Sequence, residues 1–339
     1  MRRHVPALAS SFLALCLLAG CGDTRREAAQ TSAEPSAPTS PLRQAVETAT
    51  TLPAVQPGSG APDAALVRLQ ILLDRTPFSP GEIDGLDGSN LQRAVTAYRR
   101  ANGLGESGIA DDALLQALSR TDDQPVTTTY TLTPADVGGP FSPPPGEDLQ
   151  AQARNGTHFT SSLERLAERF HVSPGLLQAL NPGIGFDRAG QTIVVPVLTA
   201  DPLPPVARIE IDGRANRLTA YGEDDVVVAV LPATVGSSDN PSPRGQLTVN
   251  GVARAPDYVY DPKKLSYGPG GPRVVVPAGP NNPVGAVWID LSRDSYGIHG
   301  TPEPSRVGKT ASHGCVRLTN WDAQRLAAAV KPGVRVRFV

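Results

Sequence analysis

The sequence predicts a multidomain chain in which a mainly-β C-terminal domain follows small helical modules. Three observations carry that reading. Past Asp201-Pro202-Leu203-Pro204-Pro205, apolar residues alternate with polar ones, the period of a half-buried strand. Between Asp63 and Leu118 the apolar residues instead recur at helical spacing. Pro is abundant at 34 of 339 residues, about twice the usual ~5%, which favours linkers, turns and strands over long helices.

The elements follow in chain order. Arg2 and Arg3 precede an apolar stretch from Val5 to Ala19, short for a membrane span of ~20 residues but suited to a secretory signal. It ends in Leu18-Ala19-Gly20-Cys21, which resembles the bacterial lipobox. The resemblance implies removal of residues 1–20, lipid on Cys21 and a membrane-anchored, periplasmic lipoprotein, for which multiple acyl chains give stable attachment. Gly22 after Cys21 hints at the outer membrane; a plain signal peptide is the alternative. Residues 21–61, rich in Ala, Ser, Thr, Pro and Gln without a hydrophobic period, read as a disordered tether.

Over residues 62–120, Leu66, Leu69 and Leu73 form one stripe, Leu91, Ala94, Val95 and Tyr98 a second, and Leu114, Ala117 and Leu118 a third behind the N-cap candidates Asp111 and Asp112. Three short helices follow, with a turn-rich loop at Ser79 to Gly85. The text LQILL…GEIDGLDGSNLQRAVTAYRRANGL resembles the peptidoglycan-binding helical domain. Over residues 127–198, Leu163, Leu166, Ala167 and Phe170 lie on one helix. Ser173 as N-cap and Pro174 at N1 open a second, and Gln191 to Val195 reads as a strand. This run resembles the LysM glycan-binding unit, a β-α-α-β fold whose first strand would hold Tyr130 to Leu132, interrupted here by a Pro- and Gly-rich stretch from Pro134 to Gly156. His158 and His171 have no partner by spacing and read as surface residues.

Over residues 206–339, Ile209 and Ile211, the run Val226 to Leu231, Leu247 and Val249, and Val334, Val336 and Phe338 predict a mostly antiparallel β domain. One helix begins near Asn320 and stops at Lys331-Pro332-Gly333.

The cysteines narrow the chemistry. Of the three, Cys16 lies in the segment to be removed and Cys21 would carry lipid, which leaves Cys315 alone in an oxidising compartment. A leftover Cys there is a reactive thiol, an intermolecular bridge or a buried inert residue. Its neighbours favour the first. A thiol with a reference pKa of ~8.5 needs a base or cation beside it to act as a nucleophile. Two of the chain's five His, His299 and His313, lie within 16 positions of Cys315. Gly300 and Gly314 permit close backbone approach, and Arg317 offers a forked donor for a carboxylate. A zinc site would need tidier spacing and a fourth ligand.

HGT and, after ten intervening residues, SHGCVR resemble the signature of the L,D-transpeptidase catalytic domain. That resemblance implies a β-sandwich-like fold with a mobile flap, on which Tyr258, Tyr260 and Tyr267 would lie. It implies Cys315 as nucleophile, His299 as base and then acid, the Gly300 carbonyl as the group that orients His299, and His313 as a further member of the site. Ser312, Gly314 and Arg317 would serve substrate binding, with backbone N–H groups near Gly314 and Cys315 facing the oxyanion. The implied reaction attacks a tetrapeptide stem of peptidoglycan, releases D-Ala and passes the acyl group from a thioester to an amine. The acceptor would be another stem, an envelope protein or, in a carboxypeptidase, water. No metal or organic cofactor is expected, and a net charge of −2 gives no case for nucleic acid. Two other classes compete: a non-catalytic lipoprotein that tethers membrane to wall glycan, and a papain-like peptidase, which places Cys before His rather than after it.

Overall fold

A computed structural model describes residues 40–52, 60–144, 146–237, 240–263 and 270–339. The predicted signal segment, Cys21 and Tyr267 lie outside them.

The first described element corrects the tether. Pro41–Thr48 is a helix, α1, opened by Ser40, whose hydroxyl accepts from the Arg43 N–H, with Pro41 in the first turn. Val46 is fully buried, and Glu47 accepts from the Thr127 N–H at 2.7 Å. Composition hid a helix whose apolar residues find their partners only in distant segments.

Three helices follow: α2 Ala64–Asp74, α3 Ser89–Ala101 and α4 Asp112–Thr121. Asp63 and Asp111 cap α2 and α4 through their carboxylates. Leu69 and Leu73 are buried as their stripe predicts, but so are Val67, Gln70, Ile71 and Leu72, so α2 is enclosed rather than one-sided.

Strand β1 (Thr127–Thr131) pairs antiparallel with β2 (Thr192–Pro196). Between them lie α5 (Pro134–Val137), α6 (Leu149–Asn155), α7 (Ser162–Arg169) and α8 (Pro174–Leu180), the last capped by Ser173. The two N-terminal segments expected as separate modules share one core. Leu69, Leu72 and Leu115 pack in the same apolar cluster as Leu166, Leu176, Leu177 and Ile193.

The C-terminal portion holds β3 (Arg208–Asp212), β4 (Arg217–Tyr221), β5 (Val227–Pro232), β6 (Gly245–Arg254), β7 (Tyr258–Tyr260), β8 (Val274–Val276), β9 (Val287–Leu291), β10 (Gly297–His299), β11 (Val316–Arg317), α9 (Asn320–Ala329) and β12 (Arg335–Phe338). The sandwich-like expectation resolves into one curled eight-stranded sheet in the order β11-β10-β9-β6-β12-β3-β4-β5. Its pairings are antiparallel except for β10 with β11 and β12 with β3. The ten-residue β6 explains the curl. Its first half pairs with β12, its second with β9, and the register slips between Val249 and Gly251, where a bulge bends the strand and increases its twist. Both halves thereby face one core containing Ile209, Leu218, Ile289, Ile298 and Leu326. The remaining pair, β7 and β8, forms a separate hairpin.

The two cores meet along α9 and at the loop between β10 and β11. Ser79 donates to Asp322 at 2.8 Å, Arg325 donates to the Thr76 carbonyl at 2.8 Å, and Asn90 donates to the Val307 carbonyl at 2.9 Å. His171 is no isolated surface residue. Its Nδ1 lies 3.1 Å from Asp74 Oδ2 and its ring stacks on Trp321 with centroids 4.7 Å apart. Its partners lie far along the chain, where spacing gives no signal. His158 is exposed, as expected.

Candidate active site

The parallel pair β10 and β11 places His299 opposite Arg317 and Ile298 opposite Val316. Because side chains alternate across a strand, His299, Cys315 and Arg317 share one face, with Ile298 and Val316 turned into the core. That face borders a cleft of about 1180 Å³ which His299, Cys315, Arg317, Ser312, His313 and Trp288 all line.

His299 is buried, 4% exposed. Its Nδ1 lies 2.7 Å from the Gly300 carbonyl. A carbonyl only accepts, so Nδ1 carries the proton and Nε2 is left as the acceptor. Burial, with Arg317 nearby, lowers the imidazole to about 4, against a weaker upward pull from the Gly300 carbonyl. Burial pushes the half-buried Cys315 thiol up, while the Gly297 N–H and Arg317 oppose that shift. At neutral pH the cleft therefore holds a thiol, whose sulfur donates to the Ser295 carbonyl at 3.5 Å, and a neutral imidazole. Arg317 discourages the imidazolium and favours the thiolate. It has no ion-pair partner among the described residues, so the guanidinium stands ready for an anionic group.

The loop before β11 is braced from within. Ser312 donates to the Cys315 carbonyl at 2.5 Å and accepts from the Gly314 N–H at 3.1 Å. This commits its buried hydroxyl to bracing the loop, while the residue also lines the cleft. The same bond engages the Gly314 N–H, one of the expected oxyanion donors. Gly314, at φ +116°, adopts a backbone conformation that favours glycine, and Ser242 donates to its carbonyl at 2.7 Å. His313 is exposed on the cleft.

Three supporting residues escaped the sequence reading. Trp288 stacks on His299 with centroids 5.5 Å apart, and a Cβ on Gly297 would lie 2.5 Å from the Trp288 ring. Asn320 accepts from the Ala286 N–H at 2.9 Å and donates to both carboxylate oxygens of Glu168 at 3.1 Å. Its Oδ1 packs so close to Gly300 that a Cβ there would come within 2.1 Å. Glu168 thus fixes the orientation of the Asn320 amide, and Asn320 supports the turn whose carbonyl holds His299. The helix-opening position of Asn320 was legible; its partner 152 residues away was not. Tyr258 and Tyr260 of the hairpin also line the cleft, and the Tyr260 hydroxyl accepts from the Gly270 N–H at 3.0 Å.

Comparison with known proteins gives the family. Residues 207–337 match the L,D-transpeptidase catalytic domain, and residues 62–118 match the family described as "Putative peptidoglycan binding domain". The "Putative L,D-transpeptidase YkuD" of Bacillus licheniformis is 35% identical over 178 residues, 52% of this chain and 92% of that protein. This chain belongs to the L,D-transpeptidase family. The "Probable L,D-transpeptidase ErfK/SrfK" of Escherichia coli is 31% identical over 208 residues, 58% of this chain and 66% of that one. Among solved structures, an L,D-transpeptidase from Mycobacterium smegmatis is 21% identical, covering 43% of this chain and 63% of that one with a TM-score of 0.32. As an L,D-transpeptidase preceded by a peptidoglycan-binding domain, the protein acts on peptidoglycan of the cell envelope.

Proposed function

We propose that this transpeptidase works through Cys315 on a tetrapeptide stem. His299 Nε2 takes the thiol proton as sulfur attacks the carbonyl that precedes the terminal D-Ala. The C–S bond forms, the C–N bond breaks, and His299 returns the proton to the leaving amine. The resulting thioester is resolved by an incoming amine, whose proton passes through His299 back to sulfur. The observation that carries this reading is the His299 geometry. An imidazole held by Gly300 with Nε2 free, and kept neutral by burial, accepts a proton throughout the neutral range. Arg317 suits a carboxylate of the stem.

The finer localisation belongs to the same proposal. The lipobox-like Leu18 to Cys21 supports a membrane-anchored, periplasmic lipoprotein. The β1-α7-α8-β2 arrangement supports a LysM-like contribution to glycan binding beside residues 62–118. The domain bounds, with a catalytic portion from 206 to 339, rest on the position of the two cores.

The test is incubation of purified protein with tetrapeptide-bearing muropeptides, followed by mass spectrometry, beside Cys315→Ala. Exchanged or crosslinked products and an acyl adduct on Cys315 are expected from the wild type and neither from the variant. Turnover that persists in folded Cys315→Ala would remove sulfur from the mechanism.

A further inference from the structure

The insertion between β1 and α7 has no part in the chemistry above, yet it reaches the cleft. Gly146, Glu147, Leu149 and Gln152 line the same cavity as Cys315 and His299. The insertion is held there by specific contacts. Ser142 donates to the Asn155 carbonyl at 3.0 Å and accepts from the His158 N–H at 3.2 Å, which closes the segment on itself. Thr157 then donates to the Pro277 carbonyl at 2.9 Å, and the Asn281 N–H donates to the Thr157 carbonyl at 2.9 Å. Asn281 Nδ2 donates to the His158 carbonyl at 3.0 Å. Gly279 admits this contact, since a Cβ there would fall 2.2 Å from Thr157 Oγ1. Helix α6 packs against β8 of the hairpin. The insertion is thus fastened to the base of the hairpin as a second wall of the cleft.

The chemistry of that wall complements the motif side. Arg317 stands on one side without an ion-pair partner among the described residues. The insertion presents Glu147, an exposed carboxylate likewise without a partner among them. Gln152 adds a buried Oε1 with no hydrogen-bond partner there, while its Nε2 is spent on the Gly146 carbonyl. A carboxylate and an amide oxygen, neither spent on a protein donor among the described residues, suit a group that only donates and carries positive charge. An aliphatic ammonium is such a group, and the reaction needs an amine as its second substrate.

We propose that Glu147 and Gln152 form the acceptor side of the cleft and receive the ammonium of the incoming peptide. The inference rests on the thioester mechanism above. The bound ammonium gives one proton to solvent, and the neutral amine attacks the thioester carbonyl. The C–N bond forms, the C–S bond breaks, and His299 takes the second amine proton and returns it to sulfur.

The experiment compares full-length wild type with Glu147→Gln and Glu147→Lys. It measures the rate of Cys315 acylation by a tetrapeptide donor and the ratio of transfer to hydrolysis at graded acceptor concentration. Acylation should stay within about twofold, while the ratio falls about threefold for the first variant and about tenfold for the second. Added salt should shrink the wild type's advantage, and N-acetylating the acceptor amine should abolish it. An unchanged ratio in both variants would overturn the proposal, as would a loss confined to acylation, which would make this the donor wall. Calorimetry on Cys315→Ala protein reads acceptor binding without chemistry. Equal Kd with and without the Glu147 change would count against the wall even if sulfur never acylates. Absence of wild-type acylation is a separate result, one that overturns the mechanism.

Discussion

The two walls of the cleft are built differently. His299 and Cys315 lie on and beside strands paired within an eight-stranded sheet, with Ile298 and Val316 anchored in the core beneath them. The opposite wall is a two-stranded hairpin with the seven-residue helix α6 packed against it. A strand paired inside a sheet has its backbone fixed by hydrogen bonds on both sides, whereas an isolated hairpin is marginal and depends on what it packs against. Reacting atoms need placement to fractions of an ångström, and the paired wall supplies it. Recognition tolerates a looser wall and gains variety from it.

This contrast orders the expected effects of substitution. On the rigid wall, His299→Gln should lower acylation by ~10²–10⁴-fold, the usual contribution of a general base, with thermal stability retained. The wild-type acid limb should lie near pH 4 rather than near 6.5, because burial holds His299 down to about 4 and the base is lost only when it is protonated. An acid limb near 6.5 in the pH–rate profile would show an imidazole open to solvent.

Asn320→Ala tests whether the rigidity extends beneath the site. It strips Glu168 and the Ala286 N–H of their partner, and stranded buried polar groups cost ~1–3 kcal/mol each. A fall in kcat of about tenfold with little change in KM is expected, as the turn that holds His299 loosens. Asn320→Asp, which keeps the acceptor for Ala286 but faces Glu168 with a like charge, should recover activity as the pH is lowered. On the other wall, Gly279→Val should drive Thr157 from its seat and raise KM several-fold while kcat holds. Equal damage to kcat would erase the distinction between the walls.

The smallest effect is on stability. Burial raises Glu82 and Glu168 to about 7 and Asp322 to about 6, with Asp84, Glu164 and Asp74 respectively adding to the rise. Groups whose folded pKa is raised stabilise most below their unfolded value, near 4, and lose that contribution as pH climbs through 6 to 7. His299 runs the other way, its contribution present above about 6.5 and lost as pH falls toward about 4. Three groups oppose one, so the thermal midpoint should be higher at pH 5.5 than at pH 7.5. A midpoint that instead falls on acidification would put these carboxyls in contact with water.

The candidate site was more legible in the sequence than its surroundings, for a physical reason. HGT and SHGCVR are contiguous runs on adjacent strands, so spacing and residue type announced them together. The supports of Trp288, Asn320 and Glu168 depend on contacts between distant segments, and no local period records those. Helix α1 is a different kind of miss. Ser40-Pro41 offers the same cap that identified Ser173-Pro174, but composition outweighed it. Val46 becomes a core residue only once α2 is beside it. The turn-rich stretch at 134–156 interrupted the expected compact unit, and its place at the cleft shows only when residues 277–281 come against it.

The junction along α9 has a consequence of scale. Ser79 with Asp322, His171 with Trp321 and Glu168 with Asn320 tie the helical portion to the catalytic sheet at several points. A flexible hinge would let the enzyme sample any bond within a sphere around its foothold. A braced one works as a caliper. If the helices hold glycan, as proposed, a fixed gap between that foothold and the sulfur would let the spacing of neighbouring polymer strands help select the bond.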